Sequence, residues 1–143
     1  MKPIITWIVI ADYGKARFVE NTGVGHGLTA VDIPDLKAPE KETYQSPPGR
    51  SYDSMGQGRH NLEANHGRAA TQFVKVLLER LEGYHEQSRF DRLIICAAPR
   101  MLGEIHSAIK PQLKQSVYAE LEKDLVNIKL NDLPKHLQNL IAL

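Results

Sequence analysis

The clearest stretch in the pattern of apolar and polar positions is Leu93 to Ala98, an unbroken apolar run with no charge on either face. A short run of this kind, bounded by punctuation, predicts a strand buried on both sides. Pro99 cannot donate a ladder hydrogen bond and biases Ala98 toward an extended backbone, so the strand is predicted to stop there. Leu102, Ile105 and Ile109 then recur at helical spacing, and the helix is expected from about Met101. Buried strand, tight turn and amphipathic helix form the core piece of an α/β sheet. Ligands of open α/β sheets meet the protein just beyond the carboxyl ends of the strands. The residue in that place is Arg100, a fixed cation with a planar donor fork; the plainer alternative is a solvated loop residue.

From the N-terminus, Ile4 to Ile10 is rich in β-branched residues and includes Trp7, which predicts a first strand. Asp12-Tyr13-Gly14 is turn chemistry. Ala16 to Glu20 reads as a second strand, with Ala16 and Phe18 on one face and Arg17 and Val19 on the other. Asn21 to Gly27, with three glycines, predicts a hairpin turn, and Leu28 to Ile33 a third strand. Short connections make these three an antiparallel meander. Residues 34–66 hold four of the eight prolines and show no sustained period. A loop this long in a compact domain is either functional or disordered. Gly67 to His85 predicts a long helix, with Phe73, Leu77, Leu81 and Tyr84 as its inner stripe, widened by Val74 and Leu78.

Pro111 should break the following helix near Ile109. Val117 to Leu125 fits both a strand, by alternation, and a helix, by its Leu113-Val117-Leu121-Leu125 spacing and its composition. Asn131 or Asp132 can cap a final helix, with Pro134 in its first turn and Leu133, Leu137, Leu140 and Ile141 facing inward. If Val117 to Asp124 is a strand, the order is β-β-β-α-β-α-β-α, a five-stranded sheet in one domain. Four strand ends then open on one edge. Asp12, the long loop, the first helix start, Arg100, Lys123 and Asp124 would share it.

Composition narrows the function classes. A length of 143 residues suits one domain, and a formal net charge of +1 argues against bulk electrostatic capture of nucleic acid or acidic membranes, though not against a local basic patch. The one cysteine, Cys96, falls inside the buried strand and reads as a core hydrophobe. The apolar run Ile4 to Ala11 is too short for a membrane span and has no cleavage site after it, which points to a reducing cytosol.

Candidate chemistry concentrates in Gly49-Arg50-Ser51-Tyr52-Asp53-Ser54-Met55-Gly56-Gln57-Gly58-Arg59-His60. Backbone N–H groups, two arginines and the adjacent helix start suit a phosphate or carboxylate, without matching a specific phosphate-loop spacing. A flexible polar loop is the alternative. A two-metal nuclease needs converging carboxylates, and the central strand supplies none. His60, Glu63 and His66 match no zinc spacing. His26, His85, His106 and His136 are scattered, and neither Ser51 nor Cys96 has an evident catalytic base. No metal site and no cofactor is expected.

Several blocks, in order, resemble the bacterial host-attachment protein family: Gly49-Arg50-Ser51-Tyr52-Asp53, Arg59-His60, Phe90-Asp91-Arg92-Leu93, Ala98-Pro99-Arg100-Met101-Leu102-Gly103 and Glu120-Leu121-Glu122-Lys123-Asp124-Leu125. The resemblance covers nearly the whole chain. That family is similar in turn to the central domain of archaeal and eukaryotic-type peptide-chain release factors. This implies a ribonuclease H-like topology and the strand reading of Val117 to Asp124. It implies a cytosolic protein that engages RNA, tRNA- or ribosome-associated. Arg50, Ser51, Arg59, His60, Arg100 and Lys123 would then line the anion site, with Asp53 and Asp124 holding the cations in place. In the release-factor domain a Gly-Gly-Gln loop promotes peptidyl-tRNA hydrolysis. Here Gly56-Gln57 matches, but Met55 replaces the first glycine and removes backbone freedom the motif needs. Catalysis by Gln57 is therefore an alternative rather than the leading expectation. A direct adhesion or scaffold role is a third.

Overall fold

The computed structural model describes residues 3–38 and 68–143. Its centre is a mixed six-stranded sheet. β1 (Thr6–Ala11) pairs antiparallel with β2 (Lys15–Asn21) on one side and parallel with β5 (Arg92–Cys96) on the other. β6 (Val117–Leu121) lies outermost, parallel to β5. The far side of β2 carries two short strands, β3 (Thr29–Ala30) and β4 (Leu36–Lys37).

Those two short strands correct the expected five-stranded sheet. In place of one third strand over Leu28 to Ile33, the chain pairs at residues 29–30, leaves the edge, and pairs again at residues 36–37. Five residues, 31–35, therefore face only Arg17 and Phe18 on β2. Pro34 explains the gap: it has no N–H to give the ladder, and edge strands are where such interruptions are tolerated.

β1 is buried along its whole length, and its side chains feed two cores. Trp7, Val9 and Ala11 join Phe18, Leu93 and Ile95 on one face. This face is covered by α1 (68–86), through Phe73, Val74, Leu77, Leu78 and Leu81, and by α2 (Pro99–Ala108), through Met101, Leu102 and Ile105. Ile8, Ile10, Val19, Ile94 and Cys96 form the other face, under Leu125, Val126, Leu133, Leu137 and Ile141. Each such side chain contributes about 1.5–3 kcal/mol by burial, so the unbroken apolar runs dominate the fold's energetics.

The prolines set the boundaries. Pro99 opens α2, where its missing N–H costs nothing. α2 ends at Ala108, and Ile109 and Lys110 are extended before Pro111 starts α3 (Pro111–Lys114). The ambiguous Val117 segment is a strand, because β5 offers it a ladder that outweighs helix propensity. A 3-10 turn (Leu130–Asp132) leads into α4 (Leu133–Leu137), whose Leu133 and Leu137 are buried as the pattern required. Asp132 stands at the N-cap position but makes no side-chain capping bond.

Candidate functional site

β1, β5 and β6 point the same way, and the register brings their ends level. Ile10 faces Cys96, which faces Leu121, and the Ala97 N–H donates to the Leu121 carbonyl at 3.1 Å. The residues that follow, Asp12-Tyr13, Pro99-Arg100 and Glu122-Lys123-Asp124, therefore lie along one rim. The β2 start and β4 join it, since Lys15 faces Lys37. The rim expected from the strand order is thus present among the described residues. Its charge is mixed: Lys15, Lys37, Arg100 and Lys123 alternate with Asp12, Glu104, Glu122 and Asp124.

Local hydrogen bonds fix several of these groups. Asp12 Oδ1 accepts the N–H groups of Gly14 (2.8 Å) and Lys15 (2.9 Å), so this carboxylate builds the β1–β2 turn. Asp124 Oδ1 likewise accepts the Val126 N–H at 3.1 Å. The carboxylate beside Arg100 is Glu104 rather than Asp124, with the Arg100 Nε 3.6 Å from Glu104 Oε1. Arg100 is nonetheless 69% exposed, and Lys123, in the turn after the neighbouring strand, is exposed as well. α2 begins with no side-chain cap and no acidic residue in its first turn, so its leading N–H groups and partial positive charge face the rim.

Tyr13 reaches Glu104 along the rim. The Tyr13 hydroxyl donates to Glu104 Oε1 at 2.8 Å. Burial, and then the hydrogen bond and charge of Glu104, push the phenol up to about 12 against a smaller downward pull from Arg100. Burial alone pushes the Cys96 thiol up to about 12, as befits a core residue with no thiolate chemistry.

Two structural contributors had no signal in the pattern. Arg17 Nη1 donates to the carbonyls of Val126 (2.9 Å) and Ile128 (2.6 Å), with Leu125 at 3.4 Å, and so clamps the segment after β6 beneath the sheet. His106 Nε2 meets Glu120 Oε2 at 2.6 Å, tying α2 to β6. Arg50, Ser51, Asp53, Gly56, Gln57, Arg59 and His60 lie outside the described residues. Among the described residues, no group of three metal-ligating side chains converges, and no helix is long and apolar enough to cross a membrane.

The family described as "Protein required for attachment to host cells" matches residues 7–137. The chain belongs to the host-attachment family. The match spans β1 through α4, so both cores and the whole described rim are features of a family member. No curated protein matches the chain. The family's description records attachment to host cells and specifies no reaction, so the chemistry has to be argued from the rim itself.

Proposed function

We propose that this host-attachment family member is an RNA-binding, release-factor-like domain that associates with tRNA or the ribosome through the strand-end rim. The strand order supports a ribonuclease H-like reading, with β1 between antiparallel β2 and parallel β5 and with β6 outermost. The observation that carries the RNA reading is Arg100. It is an exposed guanidinium at the uncapped start of α2, on the rim that also carries the exposed Lys123. Guanidinium and helix-start N–H groups together suit a phosphate. Arg50 and Arg59, just upstream of α1, would add cations to the same surface. Glu104 takes over, for Arg100, the orienting role expected of Asp124.

Phosphate contacts make such binding salt-dependent. Labelled tRNA and purified ribosomes should bind at low salt, and an Arg59→Ala/Arg100→Ala protein should bind at least about tenfold more weakly, a loss of ~1.4 kcal/mol. Absence of binding at low salt, or full binding by the double variant, would remove the proposal. The family description favours, as a second reading, a direct adhesion role. Detection of the protein on the surface of intact cells would support that one instead.

A further inference from the structure

The short strand β4 brings two lysines face to face. Lys37 stands directly opposite Lys15 in the antiparallel register of β4 on β2. Side chains so opposed point to the same face, with Cβ atoms about 4.5–5.5 Å apart. The next pair, Ala16 and Leu36, is buried in the core under α1 and α2. Both lysines therefore point to the other face, where Arg17 also lies, its Nη1 on the Val126 carbonyl. The register is held on both sides: Leu36 is buried, and the Ala38 N–H donates to the Gly14 carbonyl at 2.9 Å.

Like charges directly opposite each other destabilise a sheet. Among the described residues, neither lysine forms an ion pair that would offset this. Asp12, the acid at the same corner, gives its Oδ1 to the backbone N–H groups of Gly14 and Lys15. Lysines on an edge strand discourage pairing with another sheet, which accounts for Lys37. Lys15 is not on an edge, since the Asp12 N–H donates to its carbonyl at 2.9 Å on one side and β4 flanks it on the other. Lys37 is exposed and Lys15 half-buried, so the pair is open to solvent.

We infer that Lys15 and Lys37 clamp a phosphate group at the β2–β4 corner of the rim. Two ammonium groups on flexible four-carbon stems can converge on one anion. A phosphate offers each of them separate oxygens, and its charge turns the cross-strand repulsion into attraction. The inference deepens the RNA reading and rests on it only for what carries the phosphate. β2 and β5 are two sheet spacings apart, about 10 Å, so one RNA strand crossing the rim would meet this clamp and Arg100 together. A free phosphate is the other source of the same chemistry.

Inorganic phosphate and a short single-stranded RNA, each added to the full chain, test the clamp. Phosphate should cause saturable NMR shifts at the amides of Lys15 and Lys37 that chloride at equal ionic strength does not. It should also raise the melting temperature above that in chloride, as a ligand of the folded state does. Lys15→Gln/Lys37→Gln should lose both responses. Lys37→Glu should melt above the wild type in chloride, because an attractive cross-strand pair replaces a repulsive one, and should ignore phosphate. With RNA, the double glutamine variant should bind more weakly, with a salt slope shallower by roughly 0.7 for the one phosphate released. Phosphate responses with unchanged RNA binding in that variant would assign the clamp to free phosphate. A wild type that binds phosphate through these lysines but no RNA would remove the RNA reading and leave the clamp. The inference is overturned if phosphate produces neither response, if the double variant keeps both, or if Lys37→Glu melts below the wild type.

Discussion

Where β1 and β5 begin, arginines lie on aromatic rings. Arg89 sits 5.4 Å from the Trp7 ring centroid and 5.6 Å from that of Tyr84, and it pairs with Asp32 at 2.9 Å. Arg92 sits 4.0 Å from the Tyr118 centroid while its Nε donates to Thr6 at 2.7 Å. Tyr118 is the extra residue of a bulge between β5 and β6, which turns its ring outward to meet that guanidinium. At the opposite edge, where the same strands end, Arg100 meets one carboxylate at 3.6 Å and stays largely in solvent. The first edge uses its cations to hold the sheet together. The second presents a cation whose local partner contributes little, since exposed ion pairs are worth about 0–1 kcal/mol. A charge that does little for stability yet stands at the strand ends, where open α/β sheets take their ligands, is the better candidate for function.

The largest effects should separate these two edges by stability. Trp7 is fully buried against Phe18, Tyr84 and Phe90, and its indole N–H donates to Glu20 at 3.0 Å. Trp7→Ala should cost about 3–5 kcal/mol in denaturant unfolding. Arg100→Ala should fall within about 0.5 kcal/mol of wild type, as surface substitutions do. A cost at Arg100 approaching that at Trp7 would erase the distinction.

Arg17 should fall between them. Arg17→Met keeps most of the stem but leaves the carbonyls of Val126 and Ile128 without their donor, an expected loss of about 1–3 kcal/mol by the same assay. A smaller shift is expected at alkaline pH. The folded Tyr13 phenol titrates near 12, above its ordinary value of 10, so the folded state holds that proton longer. Its contribution to stability is complete below pH 10 and is lost as pH rises toward 12. Ultraviolet titration of phenolate should show a late-titrating component in the wild type that disappears in Tyr13→Phe.

How much of this was legible in the sequence differs element by element. The unbroken run Leu93 to Ala98 suited a strand buried on both faces, Pro99 marked the end of that strand and Pro111 the break after α2. The helices start at these prolines, rather than at Met101 or as a kinked continuation. β6 was not legible from its own residues, because Val117, Ala119 and Leu121 suit both periodicities; pairing with β5 decides it. The third strand misled because the pattern of Leu28 to Ile33 says nothing of how long an edge keeps its partner. At the candidate site, Arg100 followed from topology alone. Glu104 did not: its link to Tyr13 joins residues 91 positions apart, and only the folded sheet brings them together.

The measurement that tests the central claim most directly is the salt dependence of tRNA binding in two charge-matched variants. Arg100→Ala/Lys123→Ala and Arg89→Ala/Arg92→Ala each remove two cations, one pair from each edge. Fluorescence anisotropy from low to high salt gives the affinity and the slope of log K against log salt. For the rim pair, we expect weaker binding and a slope shallower by roughly 0.7–0.9 for each phosphate that the variant no longer neutralises. The other pair, once shown to be folded, should bind as the wild type does. Equal losses in both variants, or none in the rim variant, would contradict the account.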